Sequence, residues 1–276
     1  MIQTSSLHVE SSGEGKLSVV LVHGFGASGH SWRKWLPSLR REHRVHVIDL
    51  MGAGRAVAPP WGDYTPGAQA ARLVEELRRL GRGPIVLMGH SLGAAVSVLA
   101  ALRIRDAGGA IPVSGLVLVG GAVLPQKLPP YISAARTPIL GDLLMLASPP
   151  RWALERGLKG IVHDPGTVNR EQVEGYREPL RSFRRRRALL RAARQLDLAQ
   201  GEALAIRLRE ITLPTLLIHG REDGVIPLEM GQRLSREIPG ARLVILDGVG
   251  HLPPEEAPEA SLAPALEFLD ELSSPK

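Results

Sequence analysis

The sequence predicts an α/β protein: a mostly parallel sheet flanked by helices, with a helical insertion ahead of its last two strands. Three observations lead there. Short apolar runs, several closing on glycine, alternate with helical patterns along the chain. That alternation is interrupted once, over residues 122–209, by proline-punctuated helical stretches such as "TPILGDLLMLASPP" that contain no convincing strand. Internal repeats and low-complexity tracts, which would point to another architecture, are absent.

The elements follow in order. An edge strand is expected near residues 7–10, then "KLSVVLVHG" (16–24), "HRVHVIDL" (43–50) and "PIVLMGH" (84–90). "SGLVLVGG" (114–121), "PTLLIHG" (214–220) and "ARLVILDG" (241–248) complete the set. Several of these runs are almost continuous Val, Leu and Ile, as befits strands covered on both faces. Helical periodicity marks 32–41, 68–80, 92–106, 228–238 and 258–272. The expected division is a core of residues 1–121 and 210–276, with 122–209 as a helical cap. Ligands in open α/β sheets bind outside the carboxyl ends of the strands, so such a cap would roof the site.

Composition narrows the function. The chain has 276 residues, enough for one large or two smaller domains with a substantial core. Hydrophobic residues make up 44% and charged residues 22%, the balance of a soluble globular protein. No apolar stretch approaches the roughly 18 residues of a membrane span. The opening "MIQTSSLHVESSGEGK" has neither the basic start nor the apolar segment of a secretory signal, so a cytoplasmic protein is expected. The absence of cysteine excludes disulfides and a thiol nucleophile. The net charge of +6 comes mostly from arginine, five of the 34 basic residues being lysine. Its densest run is "RSFRRRRALLRAARQ" (181–195). On a helix, Leu180, Phe183, Leu190 and Ala193 fall near one face, and Arg177, Arg181, Arg184, Arg191 and Arg194 occupy others. That pattern reads as a solvated amphipathic helix. Aromatic residues, at 4%, do not interleave with the basic ones as base-stacking proteins require, so no nucleic-acid partner is expected.

The chemistry concentrates in "PIVLMGHSLGAAVSVLA" (84–100), where a strand turns sharply into a helix at Ser91. A tight turn of this kind demands small neighbours, supplied by Gly89 and Gly93. It lifts the serine hydroxyl above the sheet, at a helix N-terminus whose free N–H groups favour developing negative charge. His90 is adjacent, but neighbouring side chains on a sharp turn diverge, so the base should come from elsewhere. Asp223 in "LLIHGREDGVIP" and His251 in "LVILDGVGHLPPEE" stand on loops after predicted strands. Asp247, His219 and Asp197 are poorer candidates: the first two sit nearer strand ends, the third within the insertion. The glycines of "VHGFGASGHSW" let the backbone N–H of Phe25 turn inward as an oxyanion donor, paired with that of Leu92; His23 is expected to order this loop. No metal-ligand spacing is present, and neither metal nor organic cofactor is expected.

The motifs "HGFG", "DLMGAGRA", "GHSLGA", "GREDGVIP" and "GVGHLPPEEAPEA", in this order, resemble those of the α/β-hydrolase superfamily over nearly the whole chain. The resemblance implies an α/β-hydrolase fold with Ser91 as nucleophile, Asp223 as acid, His251 as base, and Phe25 with Leu92 as oxyanion donors. Ala56 stands where the family often has serine, in a turn whose role is structural. Ser91 argues against the dehalogenases and epoxide hydrolases of the superfamily, which use aspartate there. Leu252 follows His251, where carbon–carbon bond hydrolases of aromatic ring-cleavage products commonly carry tryptophan. The resemblance favours a serine carboxylesterase or lipase-like member, monomeric or homodimeric, acting on a small or medium apolar ester. Carbon–carbon bond hydrolysis, or slow receptor-like ligand binding, is the alternative. The run "PILGDLLMLA" (138–147) carries Ile139, Leu140, Leu143, Leu144, Met145 and Leu146, so part of it is expected to face the site and select uncharged acyl groups.

Overall fold

In a computed structural model of the protein, which describes residues 6–15, 17–81 and 83–274, seven strands form one sheet. They are β1 (His8–Ser12), β2 (Ser18–Val22), β3 (Arg44–Asp49), β4 (Ile85–His90), β5 (Val113–Val119), β6 (Thr215–Gly220) and β7 (Arg242–Leu246). Their spatial order is β1-β3-β2-β4-β5-β6-β7. β1 runs antiparallel to β3, with Val9 opposite Ile48, and every other pairing is parallel. Lys16, where the second strand was expected to begin, lies outside the described residues. The parallel strands place the loops after β2, β4, β6 and β7 on one edge of the sheet.

Outside the insertion, the helices are α1 (Leu36–Glu42), α2 (Pro66–Arg79) and α3 (Leu92–Asp106) before it. Within it come α4 (Pro130–Arg136), α5 (Leu140–Leu144), α6 (Arg151–Lys159), α7 (Arg170–Leu180), α8 (Phe183–Gln195) and α9 (Leu198–Arg207). After it follow α10 (Leu228–Glu237), α11 (Pro253–Glu256) and α12 (Pro258–Ser273). Strand alternation divides the core into two layers. Val20, Val22, Ile85, Leu87, Leu116 and Leu118 pack with Leu73 and Leu77 of α2, with α3, and with Leu234 of α10. Val19, Leu21, Val86, Met88, Val117 and Val119 face the other way, onto Trp32, Trp35, Leu39 and α12 residues such as Phe268 and Leu269. A one-residue slip would exchange the two faces, so both layers hold the register.

Two expected helices differ. The pattern over 32–41 resolves into a 3-10 turn, Gly29–Trp32, and a separate α1, because Pro37 is pre-shaped for a helix's first positions and not its interior. The arginine-rich run breaks at Ser182 between α7 and α8. The buried face of α8 is Ala188, Leu190 and Ala193, while Phe183 at its start is 48% exposed. Arg186 is the exception to a solvated arginine face. It is buried and donates to the carbonyls of Met145, Leu146, Leu180 and Arg181. No helix among the described residues is long and apolar enough to cross a membrane.

Candidate active site

Ser91 has φ 51° and ψ −116°, a conformation that costs a non-glycine residue on the order of 1–3 kcal/mol and persists only where its surroundings enforce it. The surroundings do. Ser91 N–H donates to the Val119 carbonyl (2.9 Å), and its own carbonyl accepts from Ala94 (3.0 Å) and Ala122 (3.0 Å). A Cβ at Gly89 would overlap the backbone of Gly93 and Ala94, and one at Gly93 would overlap the carbonyls of Val22 and His23. The glycines therefore let strand, turn and helix close on one another around the serine.

Asp223 and His251 reach the same point from their loops. Ser91 Oγ–H donates to His251 Nε2 at 3.1 Å, and His251 Nδ1–H donates to Asp223 Oδ2 at 2.8 Å. The other Asp223 oxygen accepts from the N–H groups of Val225 and Ile226, both at 2.8 Å. Burial alone would raise the Asp223 pKa. His251 beside it and the Ile226 N–H, with a smaller contribution from His219, outweigh burial and hold it below the usual carboxylate value. All three side chains are buried. The arrangement can remove the serine proton and hold the resulting imidazolium against a fixed carboxylate.

The rival candidates make other contacts, although His219 Nε2 also lies 3.7 Å from Asp223 Oδ2. His90 Nε2–H donates to the His251 carbonyl (2.8 Å), and burial, then His251, push its pKa down to about 3. His219 Nε2–H donates to the Ile226 carbonyl (2.8 Å). Asp247 is exposed and paired with Arg221. Asp197 is exposed at the insertion side of the cavity described below. His23 Nδ1–H donates to the Gly24 carbonyl (2.8 Å), while its Nε2 accepts from Leu50 N–H (3.1 Å), tying the loop after β2 to the loop after β3. In that second loop, Asp49 accepts from Gly29 and Arg55 N–H, both at 2.7 Å, which explains a structural turn at "DLMGAGRA". A Cβ at Gly24 would lie 3.1 Å from Ser91 Cβ, so the chain leading into Phe25 runs directly beside the serine. Phe25 and Leu92 both line the cavity into which Ser91 opens.

That cavity, about 410 Å³, lies between the sheet's carboxyl edge and the inserted helices. Leu124, Leu128 and Ile132 from the insertion meet Ala95, Leu99 and Leu102 of α3 across it. Arg207 is the one Arg or Lys among the described lining residues, and it is pinned by Asp106 (2.8 Å) and Glu210 (2.7 Å). The "PILGDLLMLA" expectation is corrected here. Ile139, Leu140, Leu143 and Leu146 do not line the cavity and are exposed on the outside of the insertion; Leu144's side chain lies outside the described residues. Gly141 backs onto Leu190 and Asp142 pairs with Arg194, which settles α5 against α8 with Leu140 and Leu143 exposed. The insertion's part of the apolar wall comes instead from Val123, Leu124, Leu128 and Ile132, before and within α4, and from Ile161, Leu196 and Leu204 further on.

Sequence reasoning missed the acidic pair after His251. Glu256 accepts from Gly250 N–H (2.8 Å) on the histidine loop and from His163 (2.6 Å) and Asp164 (3.0 Å) N–H in the insertion. His251 N–H itself donates to the Ile161 carbonyl at 2.8 Å. Glu255 is buried between Arg33, with which it is ion-paired, and Tyr176 of α7, whose hydroxyl donates to it at 2.6 Å. The Pro-Pro-Glu-Glu run hinted at a helix start, but nothing local in it points to residues 163 or 176.

The model of the alpha/beta hydrolase family matches residues 19–265. The chain is 30% identical over 249 residues to the uncharacterized hydrolase YugF of Bacillus subtilis, covering 89% of this chain and 87% of that one. It is 27% identical over 251 residues to a 2-hydroxy-6-oxononadienedioate/2-hydroxy-6-oxononatrienedioate hydrolase of a Pseudomonas species, covering 89% and 85%. Among solved structures it is similar to a thermophilic esterase from Thermogutta terrifontis, with TM-score 0.78, 28% identity, and 97% and 94% of the two chains covered.

Proposed function

This chain is a hydrolase of the alpha/beta hydrolase family, and we propose that it cleaves an apolar carboxylic ester through a covalent intermediate on Ser91. One observation carries the reading: the continuous hydrogen-bonded line from Ser91 Oγ through His251 to buried Asp223, at the floor of an apolar cavity. His251 Nε2 takes the Ser91 proton as Oγ attacks the ester carbonyl. Backbone N–H groups of Phe25 and Leu92 stabilise the oxyanion, each worth roughly 10²–10³ in kcat by comparison with other such sites. The alkoxide leaves with the proton from His251. Water then attacks the acyl-enzyme, giving its proton to His251, and the acid departs as Ser91 recovers its own. Residues 122–209 act as the cap that roofs this reaction, and neither metal nor organic cofactor takes part.

The lining favours an ester over the charged acids named for the Pseudomonas relative. Among the described lining residues, a carboxylate entering the cavity meets one Arg or Lys, Arg207, already neutralised by two carboxylates, and desolvating an unpaired charge is costly. A fluorophosphonate should therefore label the wild type and not Ser91→Ala, which should also lose turnover of p-nitrophenyl esters. Across esters of increasing acyl length, kcat/KM should rise by up to about fourfold per methylene until the cavity fills. Undiminished turnover in Ser91→Ala would overturn the nucleophile; preference for a dicarboxylate monoester or a ring-cleavage dienoate would overturn the substrate class.

A further inference from the structure

The outer surface of the insertion combines two features that a soluble protein's surface normally keeps apart. The first is aliphatic. Ile139 is 74% exposed, Leu143 58% and Leu146 63%, all within and beside the short α5, with Leu140 also exposed. Single exposed apolar residues are ordinary, but a cluster of this kind marks a contact surface.

The second feature is cationic. Arg184, Arg187, Arg191 and Arg194 follow one another along α8 at spacings of three, four and three residues, which aligns them on one face. Arg194 is paired with Asp142 of α5, which fixes the arginine face beside the aliphatic cluster. Among the described residues, Arg184, Arg187 and Arg191 make no ion pair with a carboxylate. Arg187 lies over the ring of exposed Phe183, and Arg191 over Trp61, which is 78% exposed at the far end of the helix. Among the described residues, three of the stripe's four arginines therefore carry charge without a carboxylate ion pair, bordered by aliphatic and aromatic side chains.

We propose that this face, α5 with the arginine stripe of α8, docks the protein on an anionic lipid surface. Aliphatic and aromatic groups enter the boundary between headgroups and acyl chains, and arginines beside them meet the anionic headgroups. A second copy of the chain does not fit: a two-fold contact would set one stripe of unpaired arginines against another. Nucleic acid would match the charge and leave the aliphatic side chains without a partner. α4 packs on both α5 and α8, and its Ile132 lines the cavity, so the docking face is the outside of the cavity wall. The proposal rests on the ester reading only for its purpose, the capture of lipid-dissolved apolar substrates.

Flotation with phosphatidylcholine vesicles, with and without phosphatidylglycerol, tests it separately from catalysis. The whole protein should float with the anionic vesicles in low salt and dissociate as salt rises. Arg184→Gln/Arg187→Gln should lower partitioning roughly thirtyfold. Leu143→Ser/Leu146→Ser should also release the protein from vesicles, while both variants hydrolyse a soluble short ester at the wild-type rate. That soluble assay reads the proposed function alone. No binding to anionic vesicles, equal binding to neutral ones, or self-association abolished by the same substitutions would overturn the docking surface. Binding restricted to an acidic protein would do the same.

Discussion

His90 and His251 are joined by a hydrogen bond from the ring Nε2–H of the first to the main-chain carbonyl of the second, at 2.8 Å, with their rings 5.0 Å apart. His90 sits next to the proposed nucleophile in sequence, yet its donor is engaged by the backbone of the proposed base. With its pKa pushed down to about 3, it stays neutral through the physiological range and keeps that single N–H in place. In the proposed mechanism it is a positioning residue. His90→Ala should leave a buried carbonyl unpaired, costing about 1–3 kcal/mol of stability. Steady-state kinetics should show kcat reduced with KM nearly unchanged, and the pH profile in place. A loss as complete as that of Ser91→Ala would make His90 the base instead.

Asp223→Asn should lower kcat by about 10⁴, because an amide stabilises the wrong imidazole tautomer. Asp247→Asn should be nearly silent, since it removes only an exposed pair with Arg221. The sign of the pH effect follows from the lowered Asp223 pKa. Its contribution to stability is present above the carboxyl's unfolded value and is lost as pH falls through the lower folded one. The wild type's margin over Asp223→Asn should therefore shrink as pH falls, so that acid unfolding followed by circular dichroism begins sooner in the wild type once both are referred to their neutral-pH stability.

Glu255 titrates in the opposite sense. Burial raises its pKa, and Arg33, Tyr176 and Gln172 only partly offset that. A raised folded value gives a contribution that is whole below the unfolded value and lost as pH rises through the folded one. Urea unfolding between about pH 4 and pH 8 should show the wild type's margin over Glu255→Gln shrinking as pH increases. A margin that grows with pH would mean the Arg33 ion pair outweighs burial.

The sheet was legible because its inner strands are runs of β-branched and aliphatic residues, and chain direction follows once helices separate them. The turn that carries the candidate site was legible for a related reason: Gly89, Ser91 and Gly93 encode a backbone conformation that few sequences tolerate. What sequence hid was long-range. Glu255 and Glu256 look like an ordinary acidic helix start, and only tertiary contact shows them bonded to Tyr176 and to the backbone of residues 163 and 164. The aliphatic run around α5 misled because hydrophobicity indicates burial without naming the cavity, and α5 is too short to turn every apolar side chain inward.

The Glu256 carboxylate bears on how such a protein can be remade. It grips Gly250 with one oxygen and His163 and Asp164 with the other, while Ile161 holds His251 directly. The inserted helices are thus not an accessory that can be exchanged at its two junctions with the sheet. A chimera carrying a foreign insertion would inherit a histidine loop with its anchor missing, unless residues 161–164 travelled with the host. On the proposed reading, the division of labour between a cap that selects a substrate and a core that transforms it is erased in space at these four residues.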